Sequence, residues 1–118
     1  MQESYTLEKF NSGRTVVGDA ITELAKTDDR IWLLTPDIGW GCADFKAAYS
    51  GRFIDTGIAE QCVVGVSAGL ALEGSIPFII GMMPFMSMRD LEQVRTDLCY
   101  QNLPVRIIAN YSGLTGNG

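Results

Sequence analysis

The sequence predicts an α/β fold, a three-layer α/β/α arrangement around a parallel sheet. Three observations predict it. Short, wholly apolar runs recur at Ile31 to Leu34, Ile76 to Ile80 and Val105 to Ala109, as strands buried on both faces require. Stretches with helical spacing separate them. Helices alternating with strands imply βαβ crossovers, which set neighbouring strands parallel and cover both faces of the sheet.

Taken in order, residues 1–13 are polar and aperiodic and read as an N-terminal arm; residues 14–118 read as the domain, in part. From Arg14 to Thr27 the residues Val16, Val17, Ala20, Ile21, Leu24 and Ala25 trace one helix face. Asp28 and Asp29 end it. The strand Ile31 to Leu34 is closed by Thr35-Pro36-Asp37, since proline cannot continue a central strand. Ile38 to Gly51 reads as a loop rich in glycine and aromatics. Phe53-Ile54 is a short extended piece. A helix follows from about Ala59 to Leu72, and Gly74 stops it. After the strand Ile76 to Ile80, Phe85 to Tyr100 carries Leu91, Val94 and Leu98 at helical spacing. Arg89, Asp90, Glu92, Arg95 and Asp97 fall on the remaining surface. Asn102-Leu103-Pro104 ends that helix, Val105 to Ala109 forms a third buried strand, and the tail YSGLTGNG reads as loose.

Composition narrows the function. A chain of 118 residues is one small domain. Its charged fraction of 19 % lies below the usual ~25 %, which leaves more surface for contact than in most monomers. A net charge of −5 with no basic run argues against nucleic acid or an anionic membrane as partner. The longest apolar run, interrupted by prolines and a glycine between Ile76 and Met86, falls far short of the ~20 residues that span a bilayer. Three cysteines without a CxxC pair, and no histidine, disfavour zinc. Free thiols suit a reducing cytoplasm, and the N-terminus has no apolar core of a signal peptide. Three firm strands make a thin sheet whose open edge needs cover. The expectation is therefore half of a larger assembly, or a truncated domain.

Ligands of parallel sheets sit beyond the carboxyl ends of the strands. Asp37, Met82 to Phe85 and Tyr111 to Gly118 follow strand ends, and Glu60 follows the Phe53-Ile54 piece. Each has two readings. Glu60 is either the N3 residue of a helix capped by Gly57, worth ~0.3–1 kcal/mol, or a functional carboxyl. The second reading rests on its surroundings: Val63, Val64, Val66, Ala68, Leu70 and Ala71 make the helix apolar all round, and Gly65, Ser67 and Gly69 admit a second backbone. A helix apolar all round is buried, and a carboxyl at its mouth holds a proton more readily than in water. Phe85 is either core or pocket, Asp37 a turn residue or a site residue, and Arg89 a solvated charge or a pocket wall.

The run RFIDTGIAEQCVVGVSAGLALEGSIPF resembles the pyrimidine-binding domain of the transketolase family, which includes the deoxyxylulose-phosphate synthases. The pattern is close to RFxxxGIAEQ, a small-residue helix, then GxxPF. The flanks IWLLTPDI and FMSMRDLEQVRTDLCYQNLPV resemble the family as well, so the likeness covers about Arg14 to Gly118. It implies thiamine diphosphate as cofactor, bound between two chains or domains, with Mg2+ held mainly by the partner. It implies that Glu60 hydrogen-bonds the aminopyrimidine ring nitrogen and that Phe85 stacks on that ring. Asp37 and Ile38 would lie on the thiazolium side and Arg89 near the pyrimidine, one residue further from the phenylalanine than in the synthases. Where many members carry a second aromatic, this chain has Met82.

The implied reaction is transfer of a two-carbon ketol unit between sugar phosphates. It would require a complementary diphosphate-binding subunit or domain in a homo- or hetero-oligomer. The Gly-Asp-Gly of that half and the family's Asp-Gly-x-x-His segment are not in this sequence, so the chain is expected to be inactive alone. Two alternatives stand beside it: a β-type subunit of a 2-oxo acid dehydrogenase, whose pattern reads closer to Pro-Ile-x-Glu, and a non-catalytic assembly module of the same fold.

Overall fold

The structure, a computed structural model of the chain, describes residues 13–39 and 41–113. Most of the expected N-terminal arm, and the tail beyond Gly113, lie outside the described residues. The elements are α1 (Gly13–Leu24), β1 (Ile31–Thr35), α2 (Ala43–Ala48), β2 (Phe53–Asp55), α3 (Glu60–Leu72), β3 (Ile76–Met82), α4 (Met83–Met88), α5 (Leu91–Gln93) and β4 (Arg106–Asn110). A 3-10 turn (Ser50–Arg52) precedes β2, and α5 opens into a π-helical segment (Val94–Cys99).

The four strands form one parallel sheet in the order β2-β1-β3-β4. Alternation along each strand sorts the apolar side chains onto two faces. Ile31, Leu33, Phe78 and Ile80 pack with Ile21 of α1 and Phe45 of α2. Leu34 and Ile79 pack with Val63, Val64 and Ala68 of α3, with Met86 of α4, and with Leu98. Each fully buried Leu, Ile or Val contributes about 1.5–3 kcal/mol, which is why the sheet centre is fixed on both sides.

The stretch Ile38 to Gly51, expected to be a loop, contains α2. That helix is only six residues long and buries a single side chain, Phe45, so no periodicity could show it. α1 ends at Leu24, three residues before the expected stop. Beyond it the carbonyls of Ala25, Asp28 and Ile31 accept hydrogen bonds from the Arg52 guanidinium at 3.1–3.2 Å. Arg52 also stacks on Tyr49, 4.3 Å from the ring centroid. The arginine that opens the RFIDTG run thus ties the end of α1 to β1.

Three further expectations change. β4 lies at the sheet edge with one neighbour, so Ile107, Ile108 and Ala109 are half-buried rather than buried. α3 is not covered all round: Val63, Val64, Ser67, Ala68 and Ala71 are buried, while Gln61, Cys62, Gly65, Gly69 and Leu72 are exposed. The third helical stretch begins at Met83, directly off β3, and breaks at Arg89-Asp90. The break resets the helical phase. Asp90, expected on the surface, is therefore fully buried, and Leu91, expected to face the core, is 58 % exposed. No helix among the described residues is long and apolar enough to cross a membrane.

Candidate functional site

The chain passes from β1 outward to β2, then returns through α3 to β3 on the other side of β1. Strand order therefore reverses at β1, and the crevice beyond the carboxyl ends of β1 and β3 is where such sheets take ligands. A cavity of about 260 Å³ opens there, lined by Pro36, Asp37, Ile38, Ile58, Glu60, Met82 and Phe85. Four of the five site residues expected from sequence, Asp37, Ile38, Glu60 and Phe85, share this lining.

The loops are set by a few polar bonds. The buried Thr35 hydroxyl accepts from the Ile38 N–H at 3.0 Å, and the Thr35 carbonyl accepts from the Thr56 N–H at 3.1 Å. One oxygen of Asp55, Oδ1, accepts from the N–H groups of both Asp37 (3.0 Å) and Gly57 (2.9 Å). The exits of β1 and β2 are thereby bracketed together. Asp37 itself sits at φ +62°, in the left-handed region that aspartate tolerates better than most residues. Its side chain is exposed, whereas Ile38 is buried.

Glu60 is the first residue of α3, not the third, with Ala59 as its N-cap and no side-chain cap bond. Gly57 lies in the loop two residues before the cap. The Glu60 side chain is 2 % exposed, and its Oε2 accepts from Arg89 Nη1 at 2.9 Å. Burying an ionised carboxyl costs several kcal/mol. A charge-assisted hydrogen bond returns about 1.5–3 kcal/mol, and placement at a helix N-terminus about 0.3–1 kcal/mol. Together these return less than burial of the charge costs, and the same carboxyl lines the cavity.

Arg89 is not in the cavity lining. It stands behind Glu60 and Phe85, with its guanidinium 4.2 Å from the Phe85 ring centroid and its side chain 45 % exposed. The Gln61 side-chain amide donates to the Arg89 carbonyl at 3.1 Å, so two successive residues of α3 hold the same arginine. Next to it Asp90 is fully buried, and neither carboxyl oxygen has a hydrogen-bond partner among the described residues. Burial pushes the Asp90 carboxyl above its ordinary range, and the nearby Glu60 charge adds to it.

Sequence reasoning did not single out Pro36, Ile58, Asp55 or Asp90. Ile58 carried a usable signal, an apolar residue between a glycine and an acidic helix start. Tyr111, expected near the rim, is stacked under the Arg14 guanidinium at 4.2 Å and does not line the cavity. The rest of the glycine-rich tail lies outside the described residues. Among the described residues, no group of three or more His, Cys, Asp or Glu is placed to hold a metal ion.

The family model described as "Transketolase, pyrimidine binding domain" matches residues 11–118. A 1-deoxy-D-xylulose-5-phosphate synthase of Clostridium perfringens (strain SM101 / Type A) is 42 % identical over 102 residues, covering 84 % of this chain and 16 % of the relative. The 1-deoxy-D-xylulose-5-phosphate synthase 1 of Geobacter metallireducens is 43 % identical over 105 residues, with coverage of 86 % and 16 %. The chain thus spans about a sixth of the length of these curated relatives. A solved structure described as "Split gene transketolase, inactive beta4 tetramer" superposes with a TM-score of 0.75 at 38 % identity, covering 81 % of this chain and 33 % of that one.

Proposed function

From the premise that this chain belongs to the transketolase pyrimidine-binding domain family, we propose that it is a subunit or fragment of a transketolase-like enzyme. Such an enzyme moves a two-carbon ketol unit between sugar phosphates, and this chain contributes the glutamate that activates thiamine diphosphate. The observation that carries the reading is Glu60: a carboxyl 2 % exposed that nevertheless lines a cavity at the strand-order reversal, beside the Phe85 ring.

The residues fit one end of that cofactor. The lining is aliphatic and aromatic with a single buried carboxyl, which suits a flat nitrogen heterocycle. Among the described residues that line it there is no lysine or arginine for a diphosphate. The diphosphate and Mg2+ belong, on this reading, to a complementary subunit or domain. The neighbour described as a split gene transketolase supports an oligomer built from separate chains, and its description as an inactive tetramer supports inactivity of this half alone. The three free thiols support action in the cytoplasm.

When bound, thiamine diphosphate supplies the carbanion equivalent that carries the ketol unit. The chain's own tasks are simpler. Glu60 exchanges a proton with the pyrimidine ring nitrogen through its carboxyl. Phe85 offers a ring face for stacking. Ile38 and Met82 keep water from the cavity, and Asp37 sits at the thiazolium side. Arg89 belongs to the same site from behind.

The test is reconstitution. The full chain, a complementary diphosphate-binding chain, Mg2+ and thiamine diphosphate are assayed with a ketose phosphate and an aldose phosphate. Glu60→Gln is expected to lower ketol transfer by ~10²–10⁴-fold while the chain stays folded. Turnover near that of the unaltered chain would end the assignment. Decarboxylation of a 2-oxo acid without ketol transfer would move it to the dehydrogenase β-type subunits. Failure of every mixture to bind thiamine diphosphate would make it an assembly module.

A further inference from the structure

Three side chains from two helices form one unit. Arg89, at the end of α4, donates from Nη1 to Glu60 Oε2 at 2.9 Å and lies 4.2 Å above the Phe85 ring. Its backbone carbonyl is held by Gln61 at 3.1 Å. Glu60 and Phe85 both line the cavity, and Arg89 does not. Among the described residues no hydrogen bond engages the second Glu60 oxygen, Oε1.

We infer that Arg89 is a positioning residue for Glu60: from behind the cavity it grips Oε2 and braces on the Phe85 ring, so that Oε1 is the oxygen turned to a ligand. The inference rests on the proposed pyrimidine site. A glutamate side chain has three rotatable bonds, and without a partner a carboxyl buried to 2 % gains most by turning toward water. The guanidinium prevents this in two ways. Its planar donors fix the carboxyl by a charge-assisted bond, and its flat face keeps the Phe85 ring at a set distance from that carboxyl. The spacing between carboxyl and ring is what a stacked heterocycle bonded through a ring nitrogen would sense. Gln61 adds the third point by anchoring the Arg89 backbone to the first turn of α3, the turn that carries Glu60. On this view Arg89 acts through Glu60 and does not touch the ligand.

The experiment is a double-mutant cycle read by binding. The full chain and its Glu60→Gln, Arg89→Ala, Arg89→Lys and Glu60→Gln/Arg89→Ala variants, each mixed with the complementary diphosphate-binding chain, are titrated with 4-amino-2-methylpyrimidine and with thiamine diphosphate plus Mg2+, by calorimetry or ligand-observed NMR. Circular dichroism confirms that each is folded. Arg89→Ala is expected to weaken binding of the aminopyrimidine by about tenfold. Arg89→Lys, which keeps the charge and the reach, should recover most of that loss. The double variant should bind no more weakly than Glu60→Gln, because an arginine acting through Glu60 has nothing left to position. Additive losses, or unchanged or tighter binding by Arg89→Ala while Glu60→Gln is impaired, would overturn the inference and leave the pyrimidine site standing. No binding by the mixture that contains the unaltered chain, or equal binding by the one with Glu60→Gln, would overturn both. An Arg89→Ala chain that fails to fold shifts the decision to Arg89→Lys, where loss of binding as large as that of Glu60→Gln counts against it.

Discussion

Arg89 Nη1 lies 2.9 Å from Glu60 Oε2, joining a half-exposed guanidinium to a carboxyl that is 2 % exposed. The pair is asymmetric. Removing the arginine would leave a buried charge without its partner, whereas removing the carboxyl would leave an arginine that water can reach.

Stability should reflect that asymmetry. Arg89→Ala is expected to destabilise the chain by about 1–3 kcal/mol, less than the ~3–5 kcal/mol of a fully buried pair because Arg89 is 45 % exposed. Glu60→Gln should cost less. Urea unfolding of both variants checks the order; an equal or reversed order would mean that Glu60 is not held by this contact.

Asp90 should make the protein less stable as pH rises. Its carboxyl is raised above its ordinary value by burial and, secondarily, by Glu60, so the folded chain binds a proton that the unfolded chain has released. Stability from this group is greatest below the unfolded value of 3.8 and is lost as pH climbs through the raised folded value. Asp90→Asn removes this slope and is expected to gain about 1 kcal/mol at neutral pH. Denaturant midpoints compared at acidic and neutral pH, for both chains, test it. An unaltered slope in Asp90→Asn would assign the pH dependence to another group.

Two glycines should respond in opposite directions. A Cβ on Gly18 of α1 would fall 1.5 Å from the Gly41 carbonyl oxygen. Both partners are backbone, so Gly18→Ala is expected to cost about 3 kcal/mol and to separate α1 from the loop before α2. Gly65 of α3 has open space around its Cα, and Gly65→Ala should stabilise the isolated chain by about 0.5–1 kcal/mol through helix propensity. Thermal melts of the two variants decide this.

Thiol labelling should divide the cysteines. Cys62 and Cys99 are exposed and Cys42 is buried. Burial pushes the Cys42 thiol up to about 11, with the Asp55 charge adding to it. A thiol-specific reagent at mild alkaline pH is expected to modify two residues quickly and Cys42 only on unfolding. Fast modification of all three would show that the α2 side of the core opens readily.

The fold was largely legible in the chain. Apolar runs at Ile31, Ile76 and Val105 marked three strands because strands buried between helix layers need continuous apolar sequence. α2 was not legible, since six residues with one inward Phe45 carry no period. In the helix after β3 the spacing puts Val94 and Leu98 against the core, where they pack, but it puts Leu91 inward and Asp90 outward, the reverse of the structure. The break at Arg89-Asp90 depends on how α4 leaves the sheet, and a spacing rule counted from Phe85 runs straight through it. The same break hid Asp90.

For the site, the sequence by itself determined the residue types and their order. A carboxyl at Glu60 and an aromatic at Phe85 each come after a strand, and parallel strands deliver their C-terminal loops to one edge of the sheet. Only the tertiary structure decided which of these side chains meet. Strand order reverses at β1, which brings Pro36 to Ile38, Glu60 and Phe85 around a single cavity. The break after α4 turns Arg89 back onto Glu60 and sets it behind the cavity wall. Strand order and helix phase arise from packing among residues far apart in the chain, so no local spacing encodes them.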